Sequence, residues 1–278
     1  MAIGIPLVSA NGAEIPAIGL GTFRLTGADA VTAVLAALAA GYRHIDTAAM
    51  YGNEAEVGEA IRASGLQRPA IFLTTKIWAD DIAYGRLQKA AEASLKRLGV
   101  DQVDLMLIHW PNPAVPVAQS IKALCEVKRS GLARHIGVSN YTVPLLDEAA
   151  RAATEPLAAN QCEYHPFLDQ SKVLAACRRH GMAFVSYCPL GRGMAFAPGS
   201  VPAQIAAKHG KTPAQALLRW HVQQGIVAIP KSGNAARIAE NVAIGDFTLS
   251  AAEMAALSAL KRADGRIVNP AFAPVWDA

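Results

Sequence analysis

An alternation that runs the length of the chain limits its fold more than any other feature. Short β-prone runs occupy 15–21 (IPAIGLG), 43–47 (RHIDT), 70–76 (AIFLTTK), 103–109 (VDLMLIH), 134–139 (RHIGVS), 158–164 (AANQCEY), 183–189 (AFVSYCP) and 226–230 (IVAIP). Between them lie longer Ala- and Leu-rich stretches that read as helices over 28–40, 54–63, 84–98, 117–130, 144–152, 171–180 and 213–224, with a last one near 235–243. Strand followed by helix, over and over, predicts parallel βαβ units, because a parallel neighbour can only be reached through a crossover long enough to hold a helix. Eight such units in 278 residues predict an α/β (β/α)8 TIM barrel, a fold that typically needs about 250 residues. The Asn11-Gly12 pair predicts a short β-hairpin ahead of the first unit. Glycines 41, 99, 131 and 181 stand where helices should end, a position that favours a left-handed residue.

A doubly wound sheet is the competing architecture, and it would carry fewer strands and a G-x-G-x-x-G turn. Gly19-Leu20-Gly21 begins that turn, but Thr22-Phe23-Arg24 denies it the third glycine. No linker or low-complexity segment divides the chain, so residues 1–278 are expected to form one barrel domain, working as a monomer. Charged residues are 17% of the chain, below the roughly 25% of an average globular protein, which suits a sheet buried on both faces. The net charge of +4 is scattered, densest at Arg178-Arg179-His180. No nucleic-acid partner is expected from that pattern, and the small positive excess suits an anionic cofactor. No apolar segment is long enough to cross a membrane, and the first residues lack the basic stretch of a leader. Cys125, Cys162, Cys177 and Cys188 form no Cys-x-x-Cys pair. Reduced thiols and a cytoplasmic location are therefore expected.

In such a barrel the chemistry belongs at the C-terminal ends of the strands, where the loops surround the mouth. Reading those ends gives Asp46 near the end of the second run, Lys76 at the end of the third and His109 at the end of the fourth, with Tyr51 five residues beyond Asp46. Each has a plain structural alternative: a turn cap for Asp46, a solvent-seeking Lys76, a satisfied core His109, a turn residue for Tyr51. Their convergence on one rim favours a joint role. A lysine at an apolar mouth needs a counter-ion, so Lys76 is expected to pair with Asp46. An ammonium about 4 Å from a phenol, at an effective dielectric near 20, stabilises the phenolate by roughly 4 kcal/mol. From that, Tyr51 is expected to titrate about 3 units lower and to act as a general acid. His109 would be a second donor to the same oxygen.

At these residues the chain resembles the aldo-keto reductases. Gly41-Tyr42-Arg43-His44-Ile45-Asp46-Thr47-Ala48, then Tyr51-Gly52-Asn53-Glu54 and Val57-Gly58, is similar to that family's N-terminal signature in nearly every position. The family's catalytic tetrad falls on Asp46, Tyr51, Lys76 and His109. The likeness covers almost the whole chain. It is nearest to bacterial members such as the diketogluconate reductases, on the stretch from Asp46 to Glu54 and on Leu190-Gly191-Arg192-Gly193.

The resemblance implies NADPH as cofactor and a small-molecule carbonyl as substrate, reduced by hydride transfer. It implies that Ser139, Asn140 and Gln161 hold the nicotinamide carboxamide and that Tyr187 stacks on the ring. On the residues alone, Ser139-Asn140 reads equally as a helix N-cap and Tyr187 as a core aromatic. Leu190 and Gly191 open a glycine-rich loop that lets backbone approach a pyrophosphate. Lys231, Ser232 and Arg237 lead into a helix start, which already favours anions. In the family these take the adenosine 2′-phosphate, while Glu240 and Asn241 contact the adenine; Gly233 departs from the bulkier residue of many relatives. Phe23, Met50, Trp78 and Trp110 lie beside the tetrad on the first four loops and should line an aromatic carbonyl site, with Phe272 or Trp276 and the irregular stretch 189–201 as further walls. Three other functions compete: a Schiff-base aldolase on Lys76, a cofactor-binding module without turnover, and a zinc hydrolase. The last is disfavoured because His44, His109, His135 and His165 offer no ligand-pair spacing, and no metal is expected.

Overall fold

The computed structural model describes residues 4–194 and 196–277. Strands β1 (Leu7–Ala10) and β2 (Ala13–Pro16) form the antiparallel hairpin. Its turn places Asn11 at φ 45° and Gly12 at φ 86°, the left-handed pair that a two-residue hairpin demands. Eight parallel strands follow in chain order: β3 (Leu20–Gly21), β4 (His44–Asp46), β5 (Phe72–Ile77), β6 (Val103–Ile108), β7 (Ala133–Ser139), β8 (Leu157–Glu163), β9 (Ala183–Tyr187) and β10 (Val227–Ala228). The ring closes where Ile18 pairs with Ala228 and Gly21 with Lys231. Across that seam Gly19 N donates to Ala228 O at 2.9 Å and Ala228 N to Ala17 O at 2.8 Å. A Cβ on Gly21 would sit 2.8 Å from Ile229 O, so only glycine lets the seam close this tightly.

Outside the ring run α1 (Gly27–Ala39), α2 (Glu54–Ala63), α3 (Arg86–Leu98), α4 (Val117–Arg129), α5 (Val143–Ala152), α6 (Ser171–Arg179), α7 (Val201–Lys208), α8 (Pro213–Gln223), α9 (Ala235–Val242) and α10 (Ala251–Ser258). Their apolar faces and the outward strand residues make one core layer. A second, smaller core fills the barrel itself, with Leu105, Leu107, Ala159, Val185 and Val227 joined from below by Ala10, Ala13 and Ile15 of the hairpin. Asn11 ties the hairpin down by donating to Leu157 O and His180 O. The hairpin thus covers the N-terminal end of the barrel, and the mouth lies at the other end.

The structure departs from the sequence reading in three places. The run 15–21 is divided: Ile15 and Pro16 pair in the hairpin, and only Leu20–Gly21 joins the barrel, because the first half of the run is used to close the floor. The run 226–230 pairs as strand only at Val227–Ala228. Helices α7 and α10 were not foreseen, although both carry start signals. Ser200 accepts from Ala203 N ahead of Pro202, and Ser250 with Glu253 forms a capping box. The stretch 189–201 therefore shortens to a single turn of 3-10 helix at Gly191–Gly193 and the loop leading to Ser200; Ala195 within it lies outside the described residues. No helix among the described residues is long and apolar enough to cross a membrane.

His221, wholly buried in α8, makes the fold acid-sensitive. Burial pushes its pKa down from 6.5 to about 4, against the pull of its two carbonyl partners, Leu217 O and Tyr164 O. The unfolded chain binds this proton near pH 6.5 and the native fold only near 4, so the stabilisation is complete above 6.5 and is lost as pH falls between those values. The loss approaches about 3 kcal/mol. Urea unfolding at pH about 7 and about 5 is expected to show a drop that His221→Gln reduces.

Candidate active site

Three neighbouring strands and one loop bring the tetrad residues together. Asp46 ends β4, Lys76 lies in β5, His109 follows β6 directly, and Tyr51 closes the 3-10 turn Ala49–Tyr51. That turn is held from both sides. Gly52 caps it at φ 67°, and the buried Asn53 amide donates to Thr22 O and Leu25 O while accepting from Thr47 Oγ1. Next to it the buried Glu54 carboxylate accepts from Thr75 Oγ1 and Arg97 Nε, tying the start of α2 to β5 and α3.

Lys76 is fully buried, and its ammonium meets three acceptors: Asp46 Oδ1 at 2.6 Å, Thr47 O at 2.9 Å and Tyr51 Oη at 3.2 Å. An ammonium has three N–H bonds. All are used, so Tyr51 Oη accepts, and its own hydrogen is free for another oxygen. Burial works against the Lys76 charge, but Asp46 and Tyr51 outweigh it and hold its pKa above the usual lysine value. For Tyr51 the balance corrects the sequence expectation. Burial raises its pKa more than Lys76 lowers it, with Asp46 adding to the rise, so the phenol lies above its ordinary value of 10. The attraction of a nearby ammonium alone leaves out the cost of taking a phenolate out of water. His109 is held well below 6.5 by burial and then by Lys76, so its ring is neutral. The ring lies edge-on to Tyr51 at 5.6 Å and to Trp78 at 5.3 Å, and its buried Nδ1 has no partner among the described residues.

Ser139, Asn140, Gln161 and Tyr187 also meet at the mouth. Ser139 Oγ donates to Gln161 O at 2.7 Å, Asn140 Nδ2 to His109 O at 2.9 Å, and Tyr187 Oη to Asn140 Oδ1 at 2.8 Å. Gln161 Nε2 reaches across the barrel to Asp46 Oδ2 at 2.8 Å. The helix-cap alternative for Ser139-Asn140 fails, since α5 begins at Val143 with Thr142 before it, and Asn140 instead adopts φ 63°. Tyr187 is half-buried. Beyond β9, Leu190 packs on the core and Gly191 turns at φ 53°.

Around the seam Lys231 pairs with Gly21, which in turn neighbours Asp46. Ser232 Oγ accepts from Asn234 N, and Asn234 Oδ1 caps α9 by accepting from Arg237 N. Lys231 and Arg237 are exposed, and neither is in an ion pair among the described residues. Glu240 Oε1 accepts from Thr212 Oγ1 at 2.6 Å, and Asn241 is buried.

The profile of the Aldo/keto reductase family matches residues 17–198 and 200–262. The methylglyoxal reductase DkgB of Salmonella typhimurium is 43% identical over 267 residues, 95% of this chain and 99% of that protein. The chain belongs to the aldo/keto reductase family. A crystal structure provisionally described as a 2,5-diketo-D-gluconic acid reductase B superimposes with a TM-score of 0.97 at 49% identity, covering 99% of each chain. An aldo-keto reductase of Bombyx mori, solved in complex with NADP, gives 0.88 at 33% identity over 96% of this chain and 95% of that one.

In this aldo/keto reductase the aromatic residues beside the tetrad form a continuous wall. Phe23 lies 5.1 Å from Tyr51 between ring centroids, Met50 is exposed one residue before it, Trp78 covers His109, and Trp110 is buried behind. From the C-terminal segment Phe272 sets its edge on both Trp78 and Trp110, and Trp276 packs on Trp110. Sequence reasoning did not find what holds that segment. Glu163, fully buried at the end of β8, accepts from Ile267 N at 2.7 Å, Val268 N at 2.8 Å and His165 Nε2 at 2.9 Å. An acidic residue one place before the end of a β-prone run was its only signal. Thr47 lies within the signature stretch, but what it contributes to Lys76 is its backbone oxygen, a group that side-chain chemistry does not single out.

Proposed function

We propose that this aldo/keto reductase reduces small aldehydes and ketones with NADPH, and that Tyr51 protonates the carbonyl oxygen. The observation that carries the reading is the saturated Lys76 ammonium, which leaves the Tyr51 proton free at an aromatic mouth.

The residues present fit the cofactor. Exposed Lys231 ahead of α9 and Arg237 in its first turn, neither in an ion pair among the described residues, match a 2′-phosphate in charge. The glycine turn at Gly191 offers backbone without side chains, and half-buried Tyr187 offers a ring beside the Ser139 hydroxyl and the Asn140 and Gln161 amides. When bound, NADPH supplies a hydride to the carbonyl carbon. As electron density reaches the carbonyl oxygen, Tyr51 Oη gives it a proton, and the product is an alcohol. Tyr51, above its ordinary pKa, is fully protonated at neutral pH. The Lys76 ammonium then stabilises the phenolate left behind. Neutral His109 serves as the second hydrogen-bond donor that orients the carbonyl. Asp46 keeps Lys76 charged, which disfavours Schiff-base chemistry at that amine.

The test is NADPH oxidation against a carbonyl panel, with NADH alongside. Methylglyoxal, the compound in the name of the Salmonella relative, belongs first in that panel. Turnover of no member would sink the proposal. Arg237→Ala is expected to weaken NADPH binding by roughly tenfold or more with NADH little changed. Titration by quenching of protein fluorescence reads both, and equal loss for the two cofactors would remove Arg237 from 2′-phosphate recognition.

A further inference from the structure

We propose that Gln161 is a positioning residue for proton transfer: it fixes Asp46, and through Asp46 and Lys76 it sets the place of Tyr51. The proposal rests on the reading of Tyr51 as proton donor. It assigns Gln161 a task separate from holding a cofactor.

The amide orientation follows from chemistry. A carboxylate only accepts, so the atom of Gln161 that lies 2.8 Å from Asp46 Oδ2 must be the Nε2 donor. Asp46 Oδ1 is taken by Lys76 at 2.6 Å. Each oxygen of a carboxylate only 1% exposed thus has its own donor, one from β5 and one from β8 on the far side of the barrel. Two donors on two oxygens set the carboxylate plane, where one alone would leave it free to turn about its bond. The position of that plane sets where Nζ of Lys76 rests between Asp46, Thr47 O and Tyr51 Oη. Gln161 is itself pinned, since its backbone oxygen accepts from Ser139 Oγ and from Asn140 N. With Nε2 committed to Asp46, Oε1 is the one group of this amide left to face an N–H donor such as a carboxamide. A single side chain would therefore touch the cofactor seat with one end and the acid's support with the other.

Two variants separate these tasks. Gln161→Met keeps length and loses both polar atoms, leaving Asp46 Oδ2 without its donor. In the cofactor-free protein the nitrogen NMR signal of the Lys76 ammonium, assigned by its loss in Lys76→Met, is expected to move. With NADPH, kcat is expected to fall by roughly tenfold, while KM for the carbonyl changes by less than about threefold. Gln161→Glu keeps an acceptor for a carboxamide but sets a second carboxyl against Asp46. The titratable groups that interact with the Asp46 and Lys76 pair it would face are His44 from β4, His109 after β6 and Tyr51 from its turn, with Cys188 after β9 interacting in turn with Tyr51. Only when protonated can the new carboxyl donate to Asp46 as the amide does. Its kcat is therefore expected to recover as pH falls, while wild-type kcat does not rise. A Lys76 signal unmoved in both variants, with Gln161→Glu turnover running parallel to wild type at every pH, would overturn the proposal even if NADPH binding weakened. Failure of Tyr51 as the donor would appear separately, as near-normal turnover of Tyr51→Phe.

Discussion

Tyr51→Phe is expected to lower kcat by about two to four orders of magnitude while NADPH affinity stays within about threefold of wild type. The substitution removes one oxygen and its proton and keeps the ring, so the contacts with Phe23 at 5.1 Å and His109 at 5.6 Å survive. Lys76 loses its longest and weakest partner and keeps Asp46 and Thr47 O, so the fold should tolerate the change. Steady-state turnover on the best substrate of the panel, beside cofactor titration by fluorescence, checks both halves. Because Tyr51 lies above its ordinary pKa, wild-type reduction should show no loss of kcat from Tyr51 deprotonation anywhere near neutral pH. A kcat that declined between pH about 6 and about 8 would point to another acid.

Lys76→Met carries the second large effect, on stability as well as rate. Asp46 is fully buried and would keep only the Gln161 hydrogen bond, and breaking a buried pair from one side costs about 3–5 kcal/mol. Asp46→Asn in the same chain removes the stranded charge and is expected to return most of that loss in urea unfolding. It should not restore turnover, since no cation would remain beside Tyr51. If the double variant were no more stable than the single one, the cost would lie in packing around the lysine stem, which is fully enclosed.

How far these effects could be foreseen differs from residue to residue. Asp46, Lys76 and His109 were legible because each stands at or next to the end of a β-prone run, and a barrel puts all such ends on one rim. Tyr51 needed the signature around it, because a loop residue has no periodicity to place it. The Lys76 to Asp46 pairing followed from the cost of an unpaired buried charge, and it is present at 2.6 Å. The titration of Tyr51 was misjudged, since its burial depends on Phe23, His109 and the turn held by Asn53, which come from three separate loops.

By its own pattern the sequence determined the eightfold strand and helix repeat, the hairpin turn at Asn11-Gly12 and the set of polar residues at the rim. All are local: propensity, capping and two-residue turn geometry act over a few neighbours in the chain. The tertiary structure alone decided that Gln161 reaches Asp46 across 115 positions of sequence. It alone decided that Glu163 anchors the segment bearing Phe272, that the run 15–21 is split between floor and barrel, and that Tyr51 keeps its proton. Each of those depends on which groups closure of the ring brings together and on how much water it removes, and neither quantity is carried by any one stretch of chain.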